Sequence, residues 1–345
     1  MKSRKQYVYA ALAGVCLLAI ILDGRTALHG ANIGIDLCVR TVIPSLFPFF
    51  ILSGILSNAI IGKNMPFIRP IGRLCGIPSG SESLLILGFI TGYPVGAQLV
   101  AQGYKNGNLS YQSAKRMVVF CNHAGPAFIF GILSSMFSRP YISWILWSIQ
   151  ILSGLLIGCL LPEKDTSGCK PASTDAISIQ KAMEKAIKTI GTVCGWVIAF
   201  RILLSFCDKW FLWRFSTDVQ VLISGLLELS NGCIRLSEIA NEGQRFILSS
   251  ILISAGGLCV TMQTMSVAQS VFSSKYFLGK GLQTVFSANF SCIAATVLFP
   301  DYQANCGSIQ IIGSMGIGTI LLVFLLLRKK YVAFQKKLMY NASRN

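Results

Sequence analysis

Two stretches decide how this chain is read: Gly88–Gly103, GFITGYPVGAQLVAQG, and Val118–Gly131, VVFCNHAGPAFIFG. Both are apolar enough to lie in a membrane, and both are interrupted in the middle by Gly, Pro and polar side chains. A lipid anchor has no use for Gly92-Tyr93-Pro94-Val95-Gly96 or Asn122-His123-Ala124-Gly125-Pro126 at mid-depth. Non-helical backbone is tolerated there only where protein buries it or where it lines a wet cavity. A pair of interrupted apolar segments is also the best sequence pointer to a transporter binding site.

The rest of the composition agrees with a membrane setting. The chain is 53% hydrophobic and 12% charged, against roughly 25% charged residues in soluble domains. Several apolar runs approach or exceed the roughly 18 residues that suggest a span. The formal charge is +17, but the basic residues are scattered over short loops. They form no basic stripe interleaved with aromatics, so a nucleic-acid partner is not expected. The twelve Cys lie mostly in apolar runs with no CxxC pair, and read as packing thiols.

Lys2, Arg4 and Lys5 precede the apolar run Tyr7–Leu22, and Asp23-Gly24-Arg25 offers no small-residue cleavage site, so this reads as a retained first helix. Further spans are expected at about 41–61, 117–137, 141–161, 188–206, 246–270, 283–299 and 308–327. Residues 26–43 read as an amphipathic lead-in. Pro44 suits a first helical turn and Pro48 a kink. The loops on both sides of 83–103 are basic. If that segment crossed the membrane, one loop would lie outside, against the positive-inside rule. A re-entrant hairpin keeps both inside. About ten residues down and ten back reach roughly 15 Å, half the hydrocarbon thickness. Treating 220–240 alike leaves both termini cytoplasmic and puts 22 of the 30 Lys and Arg on the inside.

The halves repeat an order of parts. IDLCVRTVIPSLFPFFILSGIL (35–56) parallels MEKAIKTIGTVCGWVIAFRILL (183–204). LLILGFITGYPVGAQL (84–99) parallels VLISGLLELSNGCIRL (221–236). CNHAGPAFIFGILSSM (121–136) parallels SAGGLCVTMQTMSVA (254–268). The expected fold is therefore an all-α polytopic membrane protein with about eight spanning helices and two re-entrant hairpins, arranged as two inverted repeats. It divides into an N-terminal helix and connection (1–32), a first repeat with an accessory helix (33–162), a polar linker (163–180), a second repeat (181–270), and C-terminal helices with a basic tail (271–345).

The candidate site follows from the breaks. Gly92, Tyr93, Pro94 and Gly96 mark the first hairpin tip, where freed backbone groups and the Tyr93 ring are available to a ligand. Asn122, His123, Gly125 and Pro126 mark the broken span. A half-helix starting near Pro126 would attract anions, with Asn122 as its cap. Glu228 is the one acidic residue at the middle of an expected membrane segment, a functional hypothesis by default. Two readings stay open for it: holding a coupling cation or proton, or pairing with Arg201 or Arg235. Asn231, Gly232, Gly256, Gly257, Thr261 and Gln263 complete the second-half set, and Arg201 either neutralises an anion or snorkels outward. No HExxH, P-loop, Rossmann fingerprint or GxSxG occurs, so an enzyme is not expected.

The runs IPSLFPFFILSGIL (43–56), TGYPVGAQL (91–99) with the basic helix after it, and NHAGPAFIFG (122–131) resemble the sporulation integral membrane protein YlbJ (SpoVV) family of the nucleoside-recognition, or Gate, domain group. LLELSNG (226–232) and AGGLCVTMQ (255–263) are weaker counterparts, so the likeness covers roughly 33–270. The resemblance implies a multi-pass protein of the membranes around a developing spore, such as the outer forespore membrane, that moves dipicolinic acid. The expected function is secondary transport of a small anionic solute. A nucleoside-type carrier and a non-transporting sporulation membrane scaffold are the alternatives. No cofactor is expected beyond a coupling proton or sodium ion. The expected partners are the bilayer, the solute and, left open, further copies of the chain.

Overall fold

A computed structural model describes residues 2–60, 63, 65–161 and 178–300, and among these the chain is helical with no strand. Asp23 separates α1 (Lys2–Leu22) from α2 (Gly24–Leu37) and caps α2, accepting from Thr26 N at 3.2 Å. A π turn at Cys38–Val42 carries the helix into α3 (Ile43–Ile60), with Pro44 in its first turn and Pro48 inside it. Then come α4 (Arg69–Leu74), α5 (Glu82–Thr91), α6 (Val95–Lys105) and α7 (Tyr111–Phe120). Helix α8 (Pro126–Phe128) continues through π and 3-10 turns to Met136, and α9 spans Tyr141–Leu160. The second half holds α10 (Ile179–Trp210), α11 (Thr217–Leu227), α12 (Leu229–Arg235), α13 (Glu242–Ala255), α14 (Gly257–Val267) and α15 (Lys275–Leu298).

Five helical runs among the described residues are long and apolar enough to cross a membrane: Gly24–Ser57, Tyr141–Leu160, Ile179–Trp210, Glu242–Val267 and Lys275–Leu298. They differ from the expected spans in instructive ways. The lead-in at 26–43 and the span behind it are one unbroken helix. The expected span at 117–137 is cut into α7 and α8 by a non-helical stretch at 121–125. The expected loop 271–282 is largely helix, because α15 starts at Lys275. The span at 308–327 and the basic tail lie outside the described residues, as does nearly all of the linker 163–180. Large apolar side chains such as Leu52, Trp144, Ile187 and Val297 point outward and are exposed. On spanning helices this is the surface that meets lipid, so the chain is a multi-pass membrane protein in contact with the bilayer.

Helices α2 and α10 pack through Gly30-x-x-x-Gly34, a small-residue spacing that lets backbones approach. A Cβ on Gly30 would lie 2.7 Å from Ser205 Oγ and 2.9 Å from Ile202 Cα; one on Gly34 would lie 3.0 Å from Ile198 Cα.

Both short segments fold back as hairpins. In a straight helix residues 88 and 96 would sit about 12 Å apart. Instead a Cβ on Gly96 would lie 3.4 Å from Gly88 Cα. The open end of this α5–α6 hairpin is closed by Ser81 Oγ donating to Asn108 O at 3.2 Å. Buried Arg116 then donates to Cys75 O and Gly76 O before the hairpin, and to Gly158 O and Leu161 O at the end of α9. Arg116 is thus no loop charge but a clasp on helix-end carbonyls. The α11–α12 hairpin opens elsewhere. Gln244 Nε2 donates to Asp218 Oδ2 at 2.8 Å, tying the start of α13 to the start of α11. Ser138 N donates to Glu242 Oε1 at 2.8 Å just before α9 begins. The hairpins therefore open at opposite ends of α9, a 20-residue helix about 30 Å long.

The Gly30 contact makes a test. Gly30→Leu overpacks the α2–α10 crossing and should cost about 1–3 kcal/mol, read as a lower thermal midpoint of the protein in detergent micelles. Gly191→Ala, on the same α10 but with nothing within 4 Å of its Cβ, should leave the midpoint equal or higher.

Candidate functional site

The first break is a nest of backbone. Helix α7 ends at Phe120, and the chain stays non-helical until Pro126, whose missing N–H costs nothing at the first position of α8. The α5–α6 tip sits in this gap. Gly92 has φ +65°, and a Cβ there would strike the backbone of Gly125. Tyr93 N donates to His123 O at 2.9 Å, and the Tyr93–Pro94 peptide is cis. Gly88 and Gly96 both press on Cys121 O, a Cβ on Gly88 coming to 2.6 Å. The His123 ring stacks on Phe89 with centroids 4.6 Å apart, and its Nδ1 lies 3.2 Å from Ala124 O.

Asn122 does not cap α8, contrary to the expectation from sequence. The break is five residues long, so Gly125 holds the cap position. Asn122 Nδ2 instead donates to Thr264 Oγ1 at 2.8 Å and Tyr276 Oη at 3.1 Å. The side chain ties the first break to α14 and α15.

The second break is tighter. Glu228 is the single non-helical residue between α11 and α12, and its buried carboxylate caps α12. It accepts from Ser230 N at 3.1 Å, Asn231 N at 2.7 Å and Asn231 Nδ2 at 2.6 Å. Gly232 rests on Gly225 with no room for a Cβ. Gly256 and Gly257, at φ +74° and +72°, separate α13 from α14, and a Cβ on Gly257 would lie 2.6 Å from Gly225 O. The second hairpin thus packs on a glycine break, as the first packs on Gly125. Thr261 Oγ1 donates to Gly257 O at 2.8 Å, and Gln263 Nε2 to Cys259 Sγ at 3.2 Å.

Pairing of Glu228 with Arg201 or Arg235, one of the two readings left open, is not formed among the described residues. Both guanidiniums turn to Asp208, Arg235 Nη2 at 2.7 Å and Arg201 Nη1 at 3.4 Å. Arg201 lines a separate cavity with Asp208 and Lys209.

The two breaks meet around one cavity. Tyr93, Pro94 and Gly125 line it from the first half, and Glu228, Ser230 and Gln263 from the second. Val42, Leu46, Val193 and Val197 close it from α2–α3 and α10. Gly92, Gly96, Asn122, His123, Pro126, Asn231, Gly232, Gly256, Gly257 and Thr261 hold the breaks in shape without lining the cavity. Two buried hydroxyls on its wall, Thr91 Oγ1 and Tyr93 Oη, have no hydrogen-bond partner among the described residues. Buried polar atoms are normally satisfied, so these two leave a place for water or a ligand. The cavity measures about 30 Å³, enough for a water or two and far below the volume of an organic solute.

One part of the site escaped the sequence reading. Lys280, placed there in a loop, is buried on α15. Its Nζ donates to Asn122 O and, at 3.0 Å, to Gln283 Oε1. Gln150 Nε2 and Ser250 Oγ both bond Ser287 Oγ, at 3.0 and 2.9 Å. The signal was present: Tyr276, Lys280, Gln283, Ser287 and Ser291 recur every three or four residues, and all are buried. A polar stripe at helical spacing in an apolar helix marks an inward face.

Helices broken at mid-length, hairpin tips seated in the breaks and lipid-facing outer sides define a polytopic helical membrane protein with a small, largely apolar cavity between the breaks. The chain is 25% identical to the sporulation integral membrane protein YlbJ of Bacillus subtilis (strain 168), with 79% of this chain and 78% of the relative covered. That match supports assignment of the chain to the YlbJ family. No family model and no solved structure matches it significantly.

Lys280 bears on stability. Lys280→Met leaves Asn122 O and Gln283 Oε1 buried without their donor, at about 1–3 kcal/mol for each group. The thermal midpoint in micelles should fall by several degrees, whereas exposed Lys275→Gln should leave it unchanged. An unchanged midpoint for Lys280→Met would remove this cation from the frame of the site.

Proposed function

We propose that the chain is a secondary transporter of a small anionic solute, built as two inverted units whose breaks form the solute site, and that dipicolinic acid is the solute during sporulation. One observation carries the reading. Two hairpins that open at opposite ends of α9 bring their tips to one cavity whose Thr91 and Tyr93 hydroxyls have no partner among the described residues. Inverted discontinuous elements meeting at mid-depth are a recurrent transporter plan. The sporulation name of the Bacillus subtilis relative supports a place in a spore-surrounding membrane, the outer forespore membrane with both termini cytoplasmic.

Glu228 constrains the mechanism. A carboxylate beside an anionic solute is repulsive, so a cation has to accompany that solute: a proton on Glu228 or a sodium ion next to it. The half-helix start at Gly125–Pro126 offers the positive end of a dipole to the anion. The Tyr93 Oη and Thr91 Oγ1 hydroxyls offer donors, and opening of the α2–α3 and α10 wall makes the room.

A second reading, a nucleoside-type carrier, has its own support. Among the described residues, the side chains lining the cavity include Glu228 but no Lys or Arg, and a carboxylate can accept from sugar hydroxyls.

Uptake of labelled dipicolinate into proteoliposomes, with unlabelled nucleosides as competitors, separates the readings. Under a proton or sodium gradient uptake should appear, and Glu228→Gln should lower it about tenfold or more, the worth of one charged hydrogen bond. Labelled nucleoside uptake with no dipicolinate uptake would favour the second reading. No flux of either by correctly folded protein would leave a non-transporting membrane scaffold.

The inverted arrangement has a separate check. In a Cys-free background, Phe67→Cys and Lys105→Cys should react with an impermeant maleimide from one side, and Asp218→Cys and Glu242→Cys from the other. Reaction of all four from one side would sink the inversion.

A further inference from the structure

A second cavity, of about 450 Å³, lies between α2 and α10, away from the breaks. Arg25 and His29 line it from α2, and Arg201, Ser205, Asp208 and Lys209 from α10. The Gly30 contact with Ser205 sets how close its walls stand. Arg235 of α12 adjoins it through Asp208. Four permanent cations, Arg25, Arg201, Lys209 and Arg235, meet two carboxylates. Lys209 Nζ bonds Asp23 Oδ2, and Asp208 is shared by the two inner arginines. The side chains of Arg201 and Arg235 are only 11% and 17% exposed.

The cluster carries more donor capacity than it uses. Arg201 Nε, Arg235 Nη1 and Ser205 Oγ are buried with no hydrogen-bond partner among the described residues. Ser205 is 5% exposed, so bulk water does not satisfy its hydroxyl. A single shared carboxylate leaves two guanidiniums undercompensated, and guanidinium forks match the oxygens of carboxylates and phosphates.

We propose that this cavity is an oxyanion-binding site, taking one carboxylate or phosphate group among Arg201, Arg235, Arg25 and the Ser205 hydroxyl. The site stands independently of whether solute crosses at the breaks. Two sources can supply the group. Exposed Trp210 and Trp213 lie just beyond the cavity at the end of α10, and such residues favour the membrane–water interface. A soluble anion and the headgroup of an anionic lipid can therefore both reach it.

The test uses inorganic phosphate and the purified full chain in lipid-free maltoside micelles at low ionic strength, where screening is least. Calorimetry should show saturable binding, weakened at least tenfold by Arg201→Gln or Arg235→Gln and several-fold by the exposed-residue change Lys209→Gln. Asp208→Asn removes the competing carboxylate and should tighten binding, a gain that misfolding cannot imitate. A second arm measures retention of phosphatidylglycerol against phosphatidylcholine by native mass spectrometry. Phosphate binding in micelles supports the site with a soluble anion as occupant. Arginine-dependent retention of phosphatidylglycerol without phosphate binding supports it with a headgroup as occupant. Absence of both, or binding that Arg201→Gln, Arg235→Gln and Lys209→Gln leave intact, overturns it.

Discussion

Backbone that leaves the helix inside an apolar protein must find its hydrogen bonds within that protein, and the structure is arranged around meeting that demand twice. At the first break the gap accepts a second chain segment: the hairpin tip enters it, and Tyr93 N reaches His123 O. At the second, one carboxylate takes three N–H donors from Ser230 and Asn231. Each solution depends on backbone approaching backbone, which only glycine at Gly92, Gly225, Gly232 and Gly257 permits. The glycines seat each hairpin against its broken helix.

The two hairpins are fixed near their open ends by different chemistry. At the α9 C-terminus Arg116 collects carbonyls, including Gly158 O and Leu161 O, the groups a helix end leaves unpaired. Near the α9 N-terminus the Glu242 carboxylate takes Ser138 N–H. A cation at carbonyls and an anion at an amide follow the sign of the helix dipole at each end. Between these clasps run Asn122, Lys280 and Gln283, joining the first break to α15 with no carboxylate among their bonded partners in the described residues.

The breaks were the most legible part of the chain. Gly-Tyr-Pro and Gly-Pro inside apolar runs, and a lone Glu at 228, mark backbone and charge that lipid would reject. Charge counting also read 83–103 as a hairpin, although Arg116, counted as a loop cation, proves buried. Hydropathy and charge sums treat every Lys and Arg alike. They cannot tell a solvated cation from one bonded to carbonyls, which is how both Arg116 and Lys280 were misplaced. The direction of Asn122 depended on partners more than 140 residues away, Thr264 and Tyr276, and no local pattern encodes that. Gly30-x-x-x-Gly34 passed unread inside the amphipathic lead-in, and no local pattern names its partner face on α10.

The smallness of the central cavity has an energetic consequence. Pockets that hold organic ligands run to roughly 300 Å³ or more, and here the breaks enclose about 30 Å³. Any such ligand therefore meets a conformation other than this one, and its apparent affinity is its intrinsic affinity scaled by the fraction of molecules already open. Contacts that have nothing to do with the ligand then set how tightly it binds. The apolar wall of Val42, Leu46, Val193 and Val197 becomes a determinant of affinity, because its packing fixes how seldom the opening occurs.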